Sequence, residues 1–254
     1  MSLDITEILD NWPFRHDEIV ARRIMGDDGK EKVQLRLDLG LLQMEVDGRP
    51  DGRRPHGHES YFAFQQSRLQ AFRERTGTEE GFVLTDKECE ELRREAFQYY
   101  HRYVAFSALN DYERLIRDTD RNLELLEFLW NYAPPDERWG AEQFRPYLIM
   151  MNTRGKVLMS LEAKDFTAAL LQIRTGIRLL EEFFRKHGHE DAIPECQEII
   201  ALRKWAVEIN EKRPQTLMER LRNELAEAVQ NEDYERAAQL RDQLRMWEAL
   251  NKHE

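Results

Sequence analysis

Between residues 49 and 59 the chain gathers Arg49, Asp51, Arg53, Arg54, His56, His58 and Glu59 around Gly52 and Gly57. Three chemistries are open to such a stretch. The forks of Arg49, Arg53 and Arg54 could hold a phosphate or carboxylate through paired donors, with glycine backbone N–H groups turned to the same anion. His56 and His58, with Asp51 or Glu59, could ligate a divalent metal, although two histidines bracketing one glycine supply only half a site. The third reading is a structural turn whose arginines pair with carboxylates elsewhere, and a net charge of -11 provides many such partners. No metal and no cofactor is required by these residues.

Elsewhere the signals for chemistry are thinner. His101 sits among Tyr99, Tyr100 and Tyr103, which suits either a polar cleft or a packed helix with a partly buried imidazole. Local spacing assembles no Ser-His-Asp or Cys-His arrangement, and there is no glycine-rich loop for a nucleotide phosphate. Cys89 and Cys196 lie far apart without neighbouring thiols, and the N-terminus lacks the basic start and apolar run of an export signal. A reducing cytoplasm is the expected home. No run approaches the roughly 20 apolar residues that span a bilayer.

These residues need a frame, and the periodicity supplies one. Ile19 to Met25, a Gly26-Asp27-Asp28-Gly29 turn, then Val33, Leu35, Leu37 and Leu39 alternating with polar residues read as a β-hairpin. Gly40 changes the phase, and Leu41 to Val46 allow a third strand. The glycines and prolines of 47–58 forbid regular structure. From residue 60 onward the period is helical. Tyr61 to Arg75 reads as a helix ending near Gly77, and Thr85 with Glu88 forms a capping box for the next. Leu92, Ala96, Tyr99, Tyr103 and Phe106 make the buried stripe of that helix, and Leu115, Leu123, Leu126 and Trp130 continue a comparable stripe until Pro134-Pro135. Met151, Leu158 and Leu161 mark a helix opened by Pro146. Phe166, Ala169, Ile173, Ile177, Leu180 and Phe184 mark one closed by Gly188. Ile199, Leu202, Ala206 and Ile209 mark one running from Pro194 to Pro214.

Asp111-Tyr112, Asp165-Phe166 and Asp233-Tyr234 each set an Asp before an aromatic at a helix start, where the carboxylate caps free backbone donors. The second of these turns, with Ala169, Ile173 and Gly176 after it, resembles the second helix of a tetratricopeptide repeat, with Gly155 displaced from the family position. The three turns are unequally spaced, 54 and 68 residues apart, which favours an irregular stack of hairpins and leaves a regular repeat as the alternative. The expected fold is mainly α: a small N-terminal β-element with the Arg/His loop (1–59), an irregular bundle of helical hairpins (60–214) and a C-terminal antiparallel hairpin (215–254).

That last unit is the best defined. Leu217, Leu221, Leu225 and Ala228 build one amphipathic helix; Tyr234, Ala237, Ala238, Leu240, Leu244 and Trp247 build a second. The connection is short enough to force an antiparallel pair, and the two alanines let the axes approach. A unit this small cannot hide enough apolar surface alone. The string Asp233-Tyr234-Glu235-Arg236-Ala237-Ala238-Gln239-Leu240-Arg241-Asp242, preceded by Leu221 to Ala228, resembles the UVR motif, the hairpin found in the excision-repair proteins UvrB and UvrC. The resemblance implies hairpin-to-hairpin pairing, with Tyr234, Ala238, Leu240 and Leu244 packing and Arg241 and Asp242 making ionic contacts. Leu221, Leu225, Ala237 and Trp247 complete the expected partner surface.

Lys and Arg total 38 against 49 Asp and Glu, which disfavours direct binding of nucleic acid over a broad surface. The expected function is a non-catalytic adaptor or scaffold that docks another UVR hairpin or self-associates. One rival is an enzyme or ligand sensor that joins the Arg49–His58 loop to a pocket near His101 and Tyr103. Another is an accessory factor of DNA excision repair.

Overall fold

The computed structural model describes residues 4–214 and 217–250, with the side chains of 217, 219 and 247–250 outside the description. The chain divides into two compact units, residues 1–206 and 207–254.

The first unit begins with a short helix, α1 (Thr6–Asp10), and an antiparallel meander of β1 (Ala21–Met25), β2 (Glu31–Leu37) and β3 (Gly40–Glu45). Val33 pairs with Arg23 on one side and Met44 on the other, so the inward row of the sheet is Val33, Leu35 and Met44. The period-two reading holds for Val33 and Leu35 and fails beyond them. Leu37 is partly open, and Leu39 stands in solvent at the turn. The polar row is not wet either. Lys32, Gln34 and Arg36 are buried: Arg36 Nε donates to the Trp12 carbonyl at 2.7 Å, and a cross-strand chain runs from Arg22 Nε to Gln34 Oε1 (2.7 Å) and from Gln34 Nε2 to Gln43 Oε1 (2.8 Å).

Helices α2 (Tyr61–Thr76), α3 (Asp86–Ala108), α4 (Tyr112–Tyr132), α5 (Pro135–Glu142), α6 (Arg145–Glu162), α7 (Phe166–Lys186) and α8 (Gln197–Lys212) follow. Thr85 and Glu88 close both arms of the capping box, and Gly77 ends α2 with φ +75°. Pro134-Pro135 ends α4 and also opens α5, because a proline at the first helical position has no N–H to waste. Pro194 does not open α8; it lies in a 3-10 turn over Glu190–Glu195, and α8 starts at Gln197.

The sheet and the helices share one core, in which Val33, Leu35, Met44 and Val46 meet Phe62, Leu92, Phe106, Leu115, Leu125 and Leu129. The stripes expected on α3, α4 and α7 point into the protein. On α6 the fully buried side is instead Leu148, Ile149, Asn152, Thr153, Gly155 and Val157, with Met151, Leu158 and Leu161 at its partly exposed margin. Helix α6 lies between α4 and α7 and must present a tight surface to both. A Cβ on Gly155 would come within 2.9 Å of Ile116, and one on Gly176 of α7 within 2.4 Å of Thr153 Oγ1. Buried Asn152 is satisfied by donating to Thr119 Oγ1 (2.9 Å) and Asp120 Oδ1 (2.8 Å) on α4.

The three Asp-aromatic pairs mark one repeated turn. Asn110, Lys164 and Glu232 each adopt positive φ (55°, 57° and 57°). The following Asp N–H reaches back to the carbonyls of Phe106 (2.9 Å), Ser160 (2.9 Å) and Ala228 (2.8 Å). Each Asp carboxylate then accepts from the N–H three residues on, in Arg114, Ala168 and Arg236. This turn joins α3 to α4, α6 to α7, and, in the second unit, α9 (Leu217–Gln230) to α10 (Tyr234–Leu250). No helix among the described residues is long and apolar enough to cross a membrane.

Candidate functional site

The loop after β3 is fixed by buried charge. Beyond β3 the chain turns back so that the Pro50 carbonyl accepts from the Glu45 N–H at 2.8 Å, and other carbonyls taken out of water there must be satisfied by other donors. Guanidinium groups from α3 and α4 do this. Arg102, 1% exposed, grips Asp118 with two bonds (Nε to Oδ2 2.6 Å, Nη2 to Oδ1 2.8 Å) and gives Nη1 to the carbonyls of Glu45 (3.0 Å) and Gly48 (2.7 Å). Arg117 donates to the Val46 carbonyl at 2.8 Å and to Asp47 at 2.6 Å. Glu95 is fully buried and accepts the first two N–H groups of α2, from Tyr61 (2.6 Å) and Phe62 (3.0 Å), as well as a bond from Arg121. Burial pushes the Arg121 pKa down, against the pull of Glu95, and its guanidinium lies 4.0 Å from the centre of the Tyr99 ring.

Arg49 joins this network, with Nε 3.3 Å from both Glu95 and Asp51. Arg53 and Arg54 are exposed and make no ion pair among the described residues. The three candidate anion ligands are therefore divided between protein carboxylates and solvent. His56, at φ 53°, stacks on Phe64 with centroids 4.1 Å apart, and His58 lies 5.5 Å from the same ring. Among the described residues no group of three His, Cys, Asp or Glu is placed to hold a metal.

His101 and Tyr103 do face a cleft. It has a volume of about 620 Å³ and lies between α3, α5 and α6 with part of α4 as its floor. None of residues 49–58 lines it, so the loop and the cleft are separate features. His101 turns Nδ1 to the Phe97 carbonyl of its own helix at 2.9 Å, and burial lowers its pKa.

In the second unit, α9 and α10 form the expected hairpin. Its seam is Leu221, Ala228, Ala237, Leu240 and Leu244, with Met218 and Leu225 packed beside them. Four of the residues expected to meet a partner, Leu221, Ala237, Leu240 and Leu244, thus close the hairpin on itself. Among the described residues the large outward apolar side chains are Val229 (52% exposed), Tyr234 (69%) and Met246 (67%). Tyr234 shares a flank of α10 with half-buried Ala238 and exposed Arg241, at i, i+4 and i+7. Arg241 and Asp242 are both open to solvent, 3.9 Å apart. The Trp247 side chain lies outside the described residues.

Sequence reading missed Val229 and Met246, which look like seam residues until the second helix is in place. It also missed Glu95 and Arg102, although both sit at stripe spacing between Leu92, Tyr99 and Phe106. Residues 215–250, the hairpin, match the family model of the UvrB/uvrC motif (UVR). No curated protein and no solved structure matches the chain significantly.

Proposed function

We propose that this protein is a non-catalytic adaptor or scaffold whose C-terminal hairpin docks onto a matching hairpin of a second chain, while the helices of the first unit offer another surface. The observation that supports this reading is the division of labour within the hairpin. Among the described residues the seam is closed, yet Val229, Tyr234 and Met246 stay in solvent beside the charged pair Arg241 and Asp242. An antiparallel pair of helices has a single mutual interface, so its other flanks must be covered by something else or stay wet. The match to the UVR motif supports a hairpin as the covering element. The same match favours, as a second reading, an accessory role in excision repair with UvrB or UvrC as the partner. The acidic balance of the chain argues for protein rather than phosphate contacts in that role.

The test uses the intact chain, labelled with a fluorophore and titrated with unlabelled chain and with intact UvrB. The Val229→Asp/Tyr234→Ala/Met246→Asp variant alters only outward side chains. It is expected to weaken the interaction at least tenfold with its helical content unchanged. A charge at Leu240 would be a poorer probe, since it would open the hairpin's own seam. Equal affinity of variant and parent, or no association with either protein, would refute the proposal.

A further inference from the structure

We propose that the first unit holds a binding site for a small, uncharged ring compound bearing hydrogen-bond-accepting oxygen, seated in the cleft between α3, α5 and α6 and recognised by the Tyr103 hydroxyl. This site is independent of the hairpin, and either proposal can fail without the other.

The cleft's volume of about 620 Å³ lies within the range of small-molecule sites. Its walls are aromatic. Phe97 and Tyr100 stack with centroids 5.5 Å apart and planes 9° apart, Tyr147 lies 6.2 Å from Tyr100, and Phe144 is largely exposed at the lip. Flat ligands gain most against such faces. The charged side chain in the lining is Arg93, and Glu137 already neutralises it. A charged ligand would surrender its hydration without a free counter-charge.

The polar groups of the lining give the sharper evidence. Asn122 is used within the protein, donating to the Ala96 carbonyl at 3.0 Å and accepting from Arg121 at 2.8 Å. Tyr99, Tyr112 and Tyr132 each bond their hydroxyl to the protein, to the Gly48 carbonyl, Asn110 and Glu79. Tyr103 is 3% exposed and lines the cleft, and its hydroxyl has no hydrogen-bond partner among the described residues. The hydroxyls of Tyr100 and Tyr147, on the same lining, are unpartnered too. A hydroxyl that opens to the cleft and is not used by the protein donates to whatever fills the cleft, and an acceptor on a ligand can take the place of water there. Burial pushes the Tyr103 pKa far above that of an ordinary phenol, so the group stays an O–H donor.

The probes are 7-methoxycoumarin, which carries ring and carbonyl oxygens, and naphthalene, which carries none. Both are titrated against the full chain by fluorescence and ligand-observed NMR. Tyr103→Phe removes one oxygen atom. It is expected to weaken the coumarin five- to tenfold, as loss of one hydrogen bond does, and to leave naphthalene unchanged. Gly140→Phe fills the cleft from its rim, where a Cβ meets nothing nearer than Arg93 Nη1 at 3.9 Å, and is expected to abolish both. Three results would overturn the proposal: no saturable coumarin binding below about 1 mM, coumarin affinity unaffected by Tyr103→Phe, or binding that survives Gly140→Phe. A thermal melt of each variant verifies that the fold is retained.

Discussion

Replacing Arg102 by Met keeps the aliphatic stem inside α3 and deletes the guanidinium that ties the loop to the helices. Asp118 would keep only the Arg117 Nε contact at 3.1 Å, the Glu45 carbonyl would lose its side-chain donor, and the Gly48 carbonyl would keep only the Tyr99 hydroxyl at 3.3 Å. Breaking a buried ion pair from one side costs about 3–5 kcal/mol, because the surviving charge has no compensation. The stranded Glu45 carbonyl adds about 1–3 kcal/mol when no other donor replaces Arg102, and the remaining Arg117 and Tyr99 contacts offset part of the total. The expected loss is therefore about 4 kcal/mol. With a urea dependence near 3 kcal/mol per molar, the midpoint should fall by somewhat more than about 1 M. Adding Asp118→Leu removes the orphaned carboxylate and should recover about half of the loss. Tryptophan fluorescence suits the assay, since Trp12, Trp130, Trp139 and Trp205 lie in the first unit and Trp247 in the second. A single variant within about 1 kcal/mol of the parent would refute the reasoning, as would a double variant no more stable than the single one.

Gly176→Ala should destabilise the first unit by about 1–3 kcal/mol, since its Cβ would lie 2.4 Å from Thr153 Oγ1; adding Thr153→Ala should restore most of that in the same urea titration. Asp165→Ala removes the cap of α7 and should cost about 1 kcal/mol. By contrast, Lys164→Gly relieves a side chain at φ 57° and should stabilise by about 0.5 kcal/mol in parallel melts. Cys89, its pKa pushed up to about 11 by burial, stays protonated in the folded chain where the unfolded thiol ionises near 8.5. Its contribution to stability is complete below about pH 8.5 and is lost as the pH rises toward 11, so the parent should lose stability across that window relative to Cys89→Ala. Native Cys89 should also resist iodoacetamide at pH 8.

Local signals were legible where chemistry is local. The capping box at Thr85, the Asp-aromatic helix starts and the UVR string each depend on neighbours within one or two helical turns, and each stands where its spacing put it. What required the structure depends on third parties. The buried side of α6 was misplaced because a helix with neighbours on two sides buries small and polar residues such as Gly155, Thr153 and Asn152, which carry no hydrophobic signal. Arg49 looked like an anion ligand until Glu95, far along the chain, was found at 3.3 Å. Leu240 looked like a docking residue because it is apolar and regularly spaced, and only the partner helix shows that it closes the hairpin's own seam. Tyr103 was noticed for its company, but the lack of a partner for its hydroxyl depends on α5 and α6.

Whether the outward flank of the hairpin meets another molecule is tested residue by residue by backbone NMR of the isotope-labelled full chain titrated with unlabelled chain and with intact UvrB. Shifts and line broadening should gather at Val229, Tyr234, Ala238, Arg241, Asp242 and Met246, while the seam residues Leu221, Ala237 and Leu244 keep their native pattern. Perturbation confined to residues 1–206, or a seam that melts as the partner is added, would contradict it.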